Sequence, residues 1–289
     1  MIPLLRSLRP KQWTKNFFVF AGIIFALKIF DSLLLWKVIY AFLIFCFLSS
    51  AIYLINDIRD AGSDRKHPAK KLRPIAAGQL STALALIAAL VLGTVCLLSA
   101  FYIDLAFGLV ALTYFILMLF YTFLLRDIVI LDVFCIAAGF VLRAVAGVVV
   151  IAVALSPWLV ICTILLALFI ALGKRRHELV SLSGKAVEHR KILDEYNPQL
   201  LDQLISAVAG STVMAYSLYT LWPDTIVKFG THNLIYSIPF VLYGIFRYLY
   251  LIYQKDKGGK PEEIVLTDLP LIVDLVLWIA ALMVIIYLK

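Results

Sequence analysis

Long apolar runs separated by short charged breaks dominate the chain. The runs lie near residues 17–27, 33–55, 80–101, 105–125, 128–152, 157–172, 201–221, 234–252 and 269–288. Most approach the ~20 residues that an α-helix needs to cross about 30 Å of hydrocarbon. The pattern therefore predicts an all-α polytopic membrane protein with about nine transmembrane helices in a bundle. The first run is short, and its helix is expected to begin nearer Trp13. Pro157 suits the first turn of a helix, where a missing N–H costs little.

Charge between the runs orients the chain. Lys and Arg number 26, and most fall on alternate breaks: Arg6, Arg9, Lys11 and Lys15 before the first run, then Arg59 to Arg73, Arg126, Lys174 to Lys191, and Arg247 to Lys260. The other set of breaks holds only Lys28, Lys37, Lys228 and Lys289. Positive charge stays on the cytoplasmic side, so the expected topology has the N-terminus cytoplasmic, the C-terminus outside and the active site at the cytoplasmic face. The whole chain, 1–289, is expected to be one transmembrane domain. Within it, 1–16 is an interfacial segment with Trp13 at headgroup depth, and 56–79 and 173–200 are cytoplasmic loops carrying chemistry.

Composition agrees and excludes alternatives. Of 289 residues, 63% are hydrophobic and 15% charged, with a mean hydropathy of +0.99. A soluble domain of that length needs far more polar surface. The opening residues lack the apolar core of a cleavable signal. Cys46, Cys96, Cys135 and Cys162 sit apart inside apolar runs, which suits small buried hydrophobes rather than metal ligands or disulfide partners. The histidines, His67 and His177 among them, sit beside basic residues without metal spacing and read as loop residues. The net charge of +8 fits topology signals and attraction to anionic membrane lipid; no nucleic-acid partner is expected.

Aspartates are what that account leaves over. The stretch "NDIRDAGSDRKHPAKKLRPIAAG" runs over 56–78 at the end of an apolar run. Asp57, Asp60 and Asp64 fall at i, i+3 and i+7, so a continued helix puts them on one face, with Asn56 and Asp60 at i, i+4. Stacked carboxylates repel unless a cation lies among them. Hard oxygen ligands, with lysines and arginines following, suit Mg²⁺ carrying a phosphate-bearing substrate. The competing reading is a solvated loop in which the aspartates pair with Arg59, Arg65 and Lys66.

"NDIRDAGSD" resembles the NDxxDxxxD signature of the UbiA-type polyprenyltransferase superfamily, and "LRPIAAG" resembles the stretch that follows it there. "LRPKQWTKN", "DRKHPAKKLRPIAAG", "FVLRAVAG" and "GKRRHEL" occur in the order expected of its decaprenyl-phosphate phosphoribosyltransferase branch. The chain departs from aromatic prenyltransferases of the superfamily at one place. Where they carry a second acidic motif, this sequence has "GKRRHELVSLSG", with Lys174, Arg175 and Arg176 and a single carboxylate, Glu178.

The resemblance implies Mg²⁺-dependent transfer of 5-phosphoribosyl from phosphoribosyl pyrophosphate to a polyprenyl phosphate, supplying arabinose precursors for the cell envelope at the plasma membrane. It implies metal and pyrophosphate on Asn56, Asp57, Asp60 and Asp64, and donor phosphates on Lys15, Lys70 and Arg73. Tyr53 either bonds the sugar phosphate or is an interfacial tyrosine. Arg126, near Tyr121, either meets the lipid phosphate or marks a membrane boundary. Lys174, Arg175 and Glu178 form a second cluster. Arg143, inside a run, either reaches an anionic substrate or makes a structural pair, with Asp132 or Asp274 as partners. Asp274 is expected to face inward. Prenyl transfer to an aromatic acceptor and lipid or small-molecule transport are the competing functions; a homo-oligomer is left open.

Overall fold

The computed structural model describes residues 2–66, 70–181, 191–255, 257–259 and 261–287. Among these, every regular element is helical. Two compact units divide the chain, residues 1–155 and 156–289.

The first unit opens with α1 (Ile2–Ser7), a 3-10 segment (Pro10–Phe20) and α2 (Ala21–Phe25). Four long helices follow: α3 (Ser32–Asp64), α4 (Thr82–Ile103), α5 (Leu105–Phe123) and α6 (Leu131–Val149). Side chains placed just ahead of the helices set their starts. Asp31 accepts the N–H groups of Leu33 and Leu34, Ser81 that of Leu84, and Asp104 that of Phe107, each satisfying a donor the helix cannot.

Apolarity alone does not decide which face of such helices turns inward, because α4 is apolar nearly all round. Size decides. The buried positions of α4 are Ala85, Ala89, Gly93, Cys96 and Ala100, a stripe at helical spacing that lets another backbone approach closely. Larger residues such as Leu86, Leu90 and Leu98 point out. Bulk sits elsewhere in the core, where Phe45 packs against Tyr114 and Phe107 at ring separations of 5.1 and 6.2 Å.

The opening segment is seated on α6 by close backbone contact. A Cβ on Gly147 would lie 1.8 Å from the Val19 carbonyl oxygen, and one on Gly22 would lie 3.0 Å from the Gly147 carbonyl carbon. Polar ties hold the same segment against α3. Ser50 donates to the Leu8 carbonyl at 2.7 Å, Trp13 Nε1 donates to Ser50 Oγ at 3.1 Å, and Asn16 Nδ2 lies 3.4 Å from Ser49 Oγ.

The second unit contains α7 (Pro157–Ser181), α8 (Pro198–Leu221), α9 (Pro223–Phe229), α10 (Ile238–Tyr253), α11 (Pro261–Thr267) and α12 (Leu269–Tyr287). Tyr216 on α8 ties it together, its hydroxyl 2.7 Å from Ser237 Oγ and accepting from Trp278 Nε1 at 3.1 Å. Arg176 on α7 and Tyr253 on α10 both bond Asp202 on α8, at 2.6 and 2.9 Å. Arg247 forks onto Asp268 at 3.0 and 2.9 Å, which draws the Asp268 carboxyl below the usual carboxylate range, mainly through that hydrogen bond. Asp274 lies against Gly244, where a Cβ would come 3.1 Å from its Oδ2.

Eight helices among the described residues are long and apolar enough to cross a membrane. The difference from nine lies at the start: run 17–27 folds into the 3-10 segment and α2. Because a 3-10 helix rises ~2 Å per residue, the two together still extend roughly 30 Å. Two boundaries move as well. Residues 56–64 and 173–181, expected in loops, are helical continuations of α3 and α7. Residues 67–69, with His67, and 182–190 lie outside the described residues.

Candidate active site at the end of the longest helix

Since α3 continues to Asp64, the aspartate row is helical, and its spacing places it on one face. Three arginines from three different segments meet it. Arg9, from the residue before the 3-10 segment, and Arg73 both pair with Asp57, Arg73 at 3.0 Å. Arg73 also reaches Asp64 at 2.7 Å. Arg126, in the turn between α5 and α6, forks onto Asp60, with Nη1 and Nη2 each 2.8 Å from a carboxylate oxygen. The same Nη1 lies 3.4 Å from Asn56 Oδ1. Asp57 is only 2% exposed, so a buried carboxylate holds two guanidinium groups, which offset part of its desolvation.

Local chain geometry explains how each arginine gets there. Arg9 has φ 54° and ψ 59°, a left-handed conformation costing a side-chain-bearing residue roughly 1–2 kcal/mol. Its guanidinium stacks 5.0 Å from the Tyr53 ring. Arg73 stands on a single helical turn closed at Gly78. There Gln79 N–H donates to Pro74 O and Gly78 N–H to Ile75 O, with Gly78 at φ 73°. This crossed pair of bonds is a Schellman closure, which calls for glycine at the left-handed position. Arg65 Nε donates to Ala76 O at 3.3 Å, pinning the turn back on α3.

The aspartates therefore do not take the partners of the competing solvated-loop reading, Arg59, Arg65 and Lys66. Arg59 instead lies over the Phe123 ring and reaches Asp127 at 3.6 Å. For Arg143, the alternative of an acidic structural pair is not what the structure holds. The residue is 5% exposed, donates from Nε to Asn16 Oδ1 and from Nη2 to Tyr114 OH, both at 2.7 Å, and stacks on the Tyr114 and Phe140 rings. Its structural partners are therefore Asn16 and Tyr114, not Asp132 or Asp274. Both are neutral and polar, so nothing in their own positions marks them as partners of an arginine far along the chain.

Of the other expected residues, Lys15 bonds Gln12 Oε1 at 3.2 Å. Lys70 opens the turn that carries Arg73, and Tyr121 stands on α5. In the second unit, Lys174, Arg175 and Glu178 lie on the α7 extension; Arg175 is buried and paired with Glu178. Sequence reasoning counted Arg9 among the topology charges and missed its contact with Asp57. Its place at the head of "LRPKQWTKN" was the available signal.

A metal would meet a hard oxygen set here. Among the described residues, no three His, Cys, Asp or Glu side chains converge on one point. The Asn56 amide oxygen and the Asp60 carboxylate do converge, on the Arg126 guanidinium, so two protein oxygens already surround one cationic position. That donor set fits a small divalent cation that takes its remaining ligands from substrate phosphates and water.

Long apolar helices, one of them ending in an arginine-bound aspartate row, describe a multi-pass membrane protein. The UbiA prenyltransferase family model matches residues 16–264, and the chain belongs to that family of membrane transferases. It is 35% identical to the decaprenyl-phosphate phosphoribosyltransferase of Corynebacterium glutamicum, over 98% of this chain and 86% of that one. It is 33% identical to the protein of that name from Mycobacterium tuberculosis, over 96% and 92%. In three dimensions it resembles a UbiA homolog from Archaeoglobus fulgidus solved with GPP and Mg²⁺, with TM-score 0.75 and 21% identity over 98% of this chain and 99% of that one.

Proposed function

We propose that the protein transfers 5-phosphoribosyl from phosphoribosyl pyrophosphate to a polyprenyl phosphate in a Mg²⁺-dependent reaction, releasing pyrophosphate. The observation that carries this reading is the near full-length likeness to relatives bearing that activity in their name. The plasma membrane, a cytoplasmic N-terminus and the supply of arabinose units for the cell envelope follow from the same reading.

Transfer breaks the bond from ribose C1 to pyrophosphate and joins C1 to the lipid phosphate oxygen. The nucleophile is already an anion, so the site needs positioning and charge neutralisation more than a base. The sugar passes through an oxocarbenium-like state, which gains from carboxylates held near it. Asn56 and Asp60 would hold Mg²⁺. When bound, the ion would neutralise charge on the departing pyrophosphate. Asp57 and Asp64 orient Arg73 between them, and Arg73, with Lys15 and Lys70, takes the donor's phosphates. Tyr53 supports the sugar phosphate, and Arg126, with Tyr121 nearby in sequence, takes the lipid phosphate. Lys174, Arg175 and Glu178 on α7 serve phosphate recognition in the second unit. Arg143, buried against Asn16 and Tyr114 within the helices, is read as a scaffold residue.

The test combines purified protein, Mg²⁺, radiolabelled phosphoribosyl pyrophosphate and a polyprenyl phosphate. Labelled lipid is the expected product. Product from prenyl diphosphate and an aromatic acid instead would reassign the chain to prenyl transfer. Asp60→Ala is expected to abolish labelling while the protein remains folded.

A further inference from the structure

Arg126 occupies the position that a metal would need. Its guanidinium forks onto both Asp60 oxygens and reaches the Asn56 amide oxygen. It comes from a turn 66 positions further along the chain, so this is a tertiary contact rather than a local helix pair. We infer that Arg126 is a displaceable counter-ion: it fills the space between Asn56 and Asp60 until a diphosphate-borne cation replaces it, so that metal enters only together with the diphosphate. The inference rests on the reading of Asn56 and Asp60 as the metal seat.

Charge balance supports it. Asp57, Asp60 and Asp64 are each matched by an arginine, through Arg9, Arg73 and Arg126. A row already neutralised exerts little pull on a bare divalent cation. It must also give up an existing charge-assisted fork for any new ligand. A cation arriving with a diphosphate offers an exchange. The Asn56 and Asp60 oxygens turn to the metal, and the released guanidinium turns to anionic phosphate oxygens that accept the same planar fork.

The turn also provides an alternative resting place. Asp127, the next residue, is 45% exposed and its carboxylate lies 3.8 Å from Arg126 Nε. A guanidinium displaced from Asp60 therefore keeps a carboxylate within reach, which lowers the cost of leaving. Arg59, lying over Phe123 and reaching Asp127, links the same turn to α3, so the turn stays anchored while Arg126 swings.

Mn²⁺ binding followed by electron paramagnetic resonance tests this without any turnover. Full-length protein in detergent is titrated with Mn²⁺, with and without inorganic pyrophosphate, and bound Mn²⁺ is corrected for the Mn²⁺–pyrophosphate complex in solution. Wild type is expected to bind Mn²⁺ weakly alone and about tenfold or more tightly with pyrophosphate. Arg126→Gln is expected to bind Mn²⁺ alone about tenfold more tightly than wild type and to lose most of the pyrophosphate dependence. Arg126→Lys, which keeps the charge and loses the fork, should fall between, and serves if the glutamine variant does not fold. Adding Asp60→Asn to either variant should remove the tight site.

Equal Mn²⁺ affinity of wild type and variants without pyrophosphate would overturn the inference. So would tight binding to wild type alone, or a tight site that survives Asp60→Asn. Failure of the phosphoribosyl reading would show separately, as no labelled lipid alongside an unchanged Mn²⁺ pattern.

Discussion

Replacing Arg143 by methionine separates two roles for an arginine inside a membrane helix. Two hydrogen bonds from a charged donor disappear, those to Asn16 Oδ1 and Tyr114 OH, each worth about 1.5–3 kcal/mol. Against this, removing an arginine from a membrane helix recovers about 2.5–3.5 kcal/mol. Stacking on Tyr114 and Phe140 adds roughly 0.5–2 kcal/mol per ring to the loss. The net is a destabilisation of roughly 0.5–7.5 kcal/mol, centred near 4, with a fall in Tm of roughly 2–4 °C per kcal/mol for a unit of this size. Thermal unfolding in detergent reads it directly. Because Arg143 and Asn16 share one bond, Asn16→Leu combined with Arg143→Met should cost clearly less than the two single changes added together. An unchanged or raised Tm, with donor binding lost, would refute the scaffold role and return Arg143 to the substrate.

Two glycines should fail for different reasons. Gly147→Ala drives a methyl into the Val19 carbonyl and should cost about 1–3 kcal/mol by overpacking. Gly78→Ala meets no atom within 4 Å but must hold φ 73°, for about 1–2 kcal/mol; thermal unfolding should rank them, and a harmless Gly147→Ala would sink the account of the seated segment. Asp268→Asn should show a pH signature. The Asp268 carboxyl titrates below its usual value because Arg247 donates to it, so its contribution is complete above the unfolded value of about 3.9 and is lost as pH falls through the folded one. The Tm gap between wild type and Asp268→Asn should therefore persist at neutral pH and close in strong acid; a gap independent of pH would contradict the linkage.

Hydropathy located the long helices because spanning lipid leaves an unambiguous length of apolar chain. It misplaced their ends wherever a helix outlives the apolar run. The run near 157–172 stops at Leu172, yet lysine, arginine and glutamate are good helix formers, and α7 continues through "GKRRHELVS" to Ser181. On α3 the spacing of the aspartates showed only that a continued helix would align them, while the segment itself was expected in a loop. What the aspartates touch was not legible. Arg9, Arg73 and Arg126 are brought together by a strained residue, a Schellman turn and a three-residue 3-10 turn, none of which has a period that sequence patterns can reveal. Arg143 was singled out by its cost in lipid, but Asn16, in the interfacial segment, and Tyr114, in an apolar run, were not, since neutral polar residues attract no attention until a fold joins them.

The unbroken course of α3 from Ser32 to Asp64 spans about 50 Å, well beyond the roughly 30 Å of hydrocarbon. Membrane anchor and aspartate row are thus a single rod with no joint between them. A one-residue insertion among its apolar turns would act as a crankshaft, rotating every aspartate by about 100° relative to its arginines while leaving hydropathy untouched. The phase of this helix, which no hydropathy profile records, is therefore as much a determinant of the site as the acidic residues themselves.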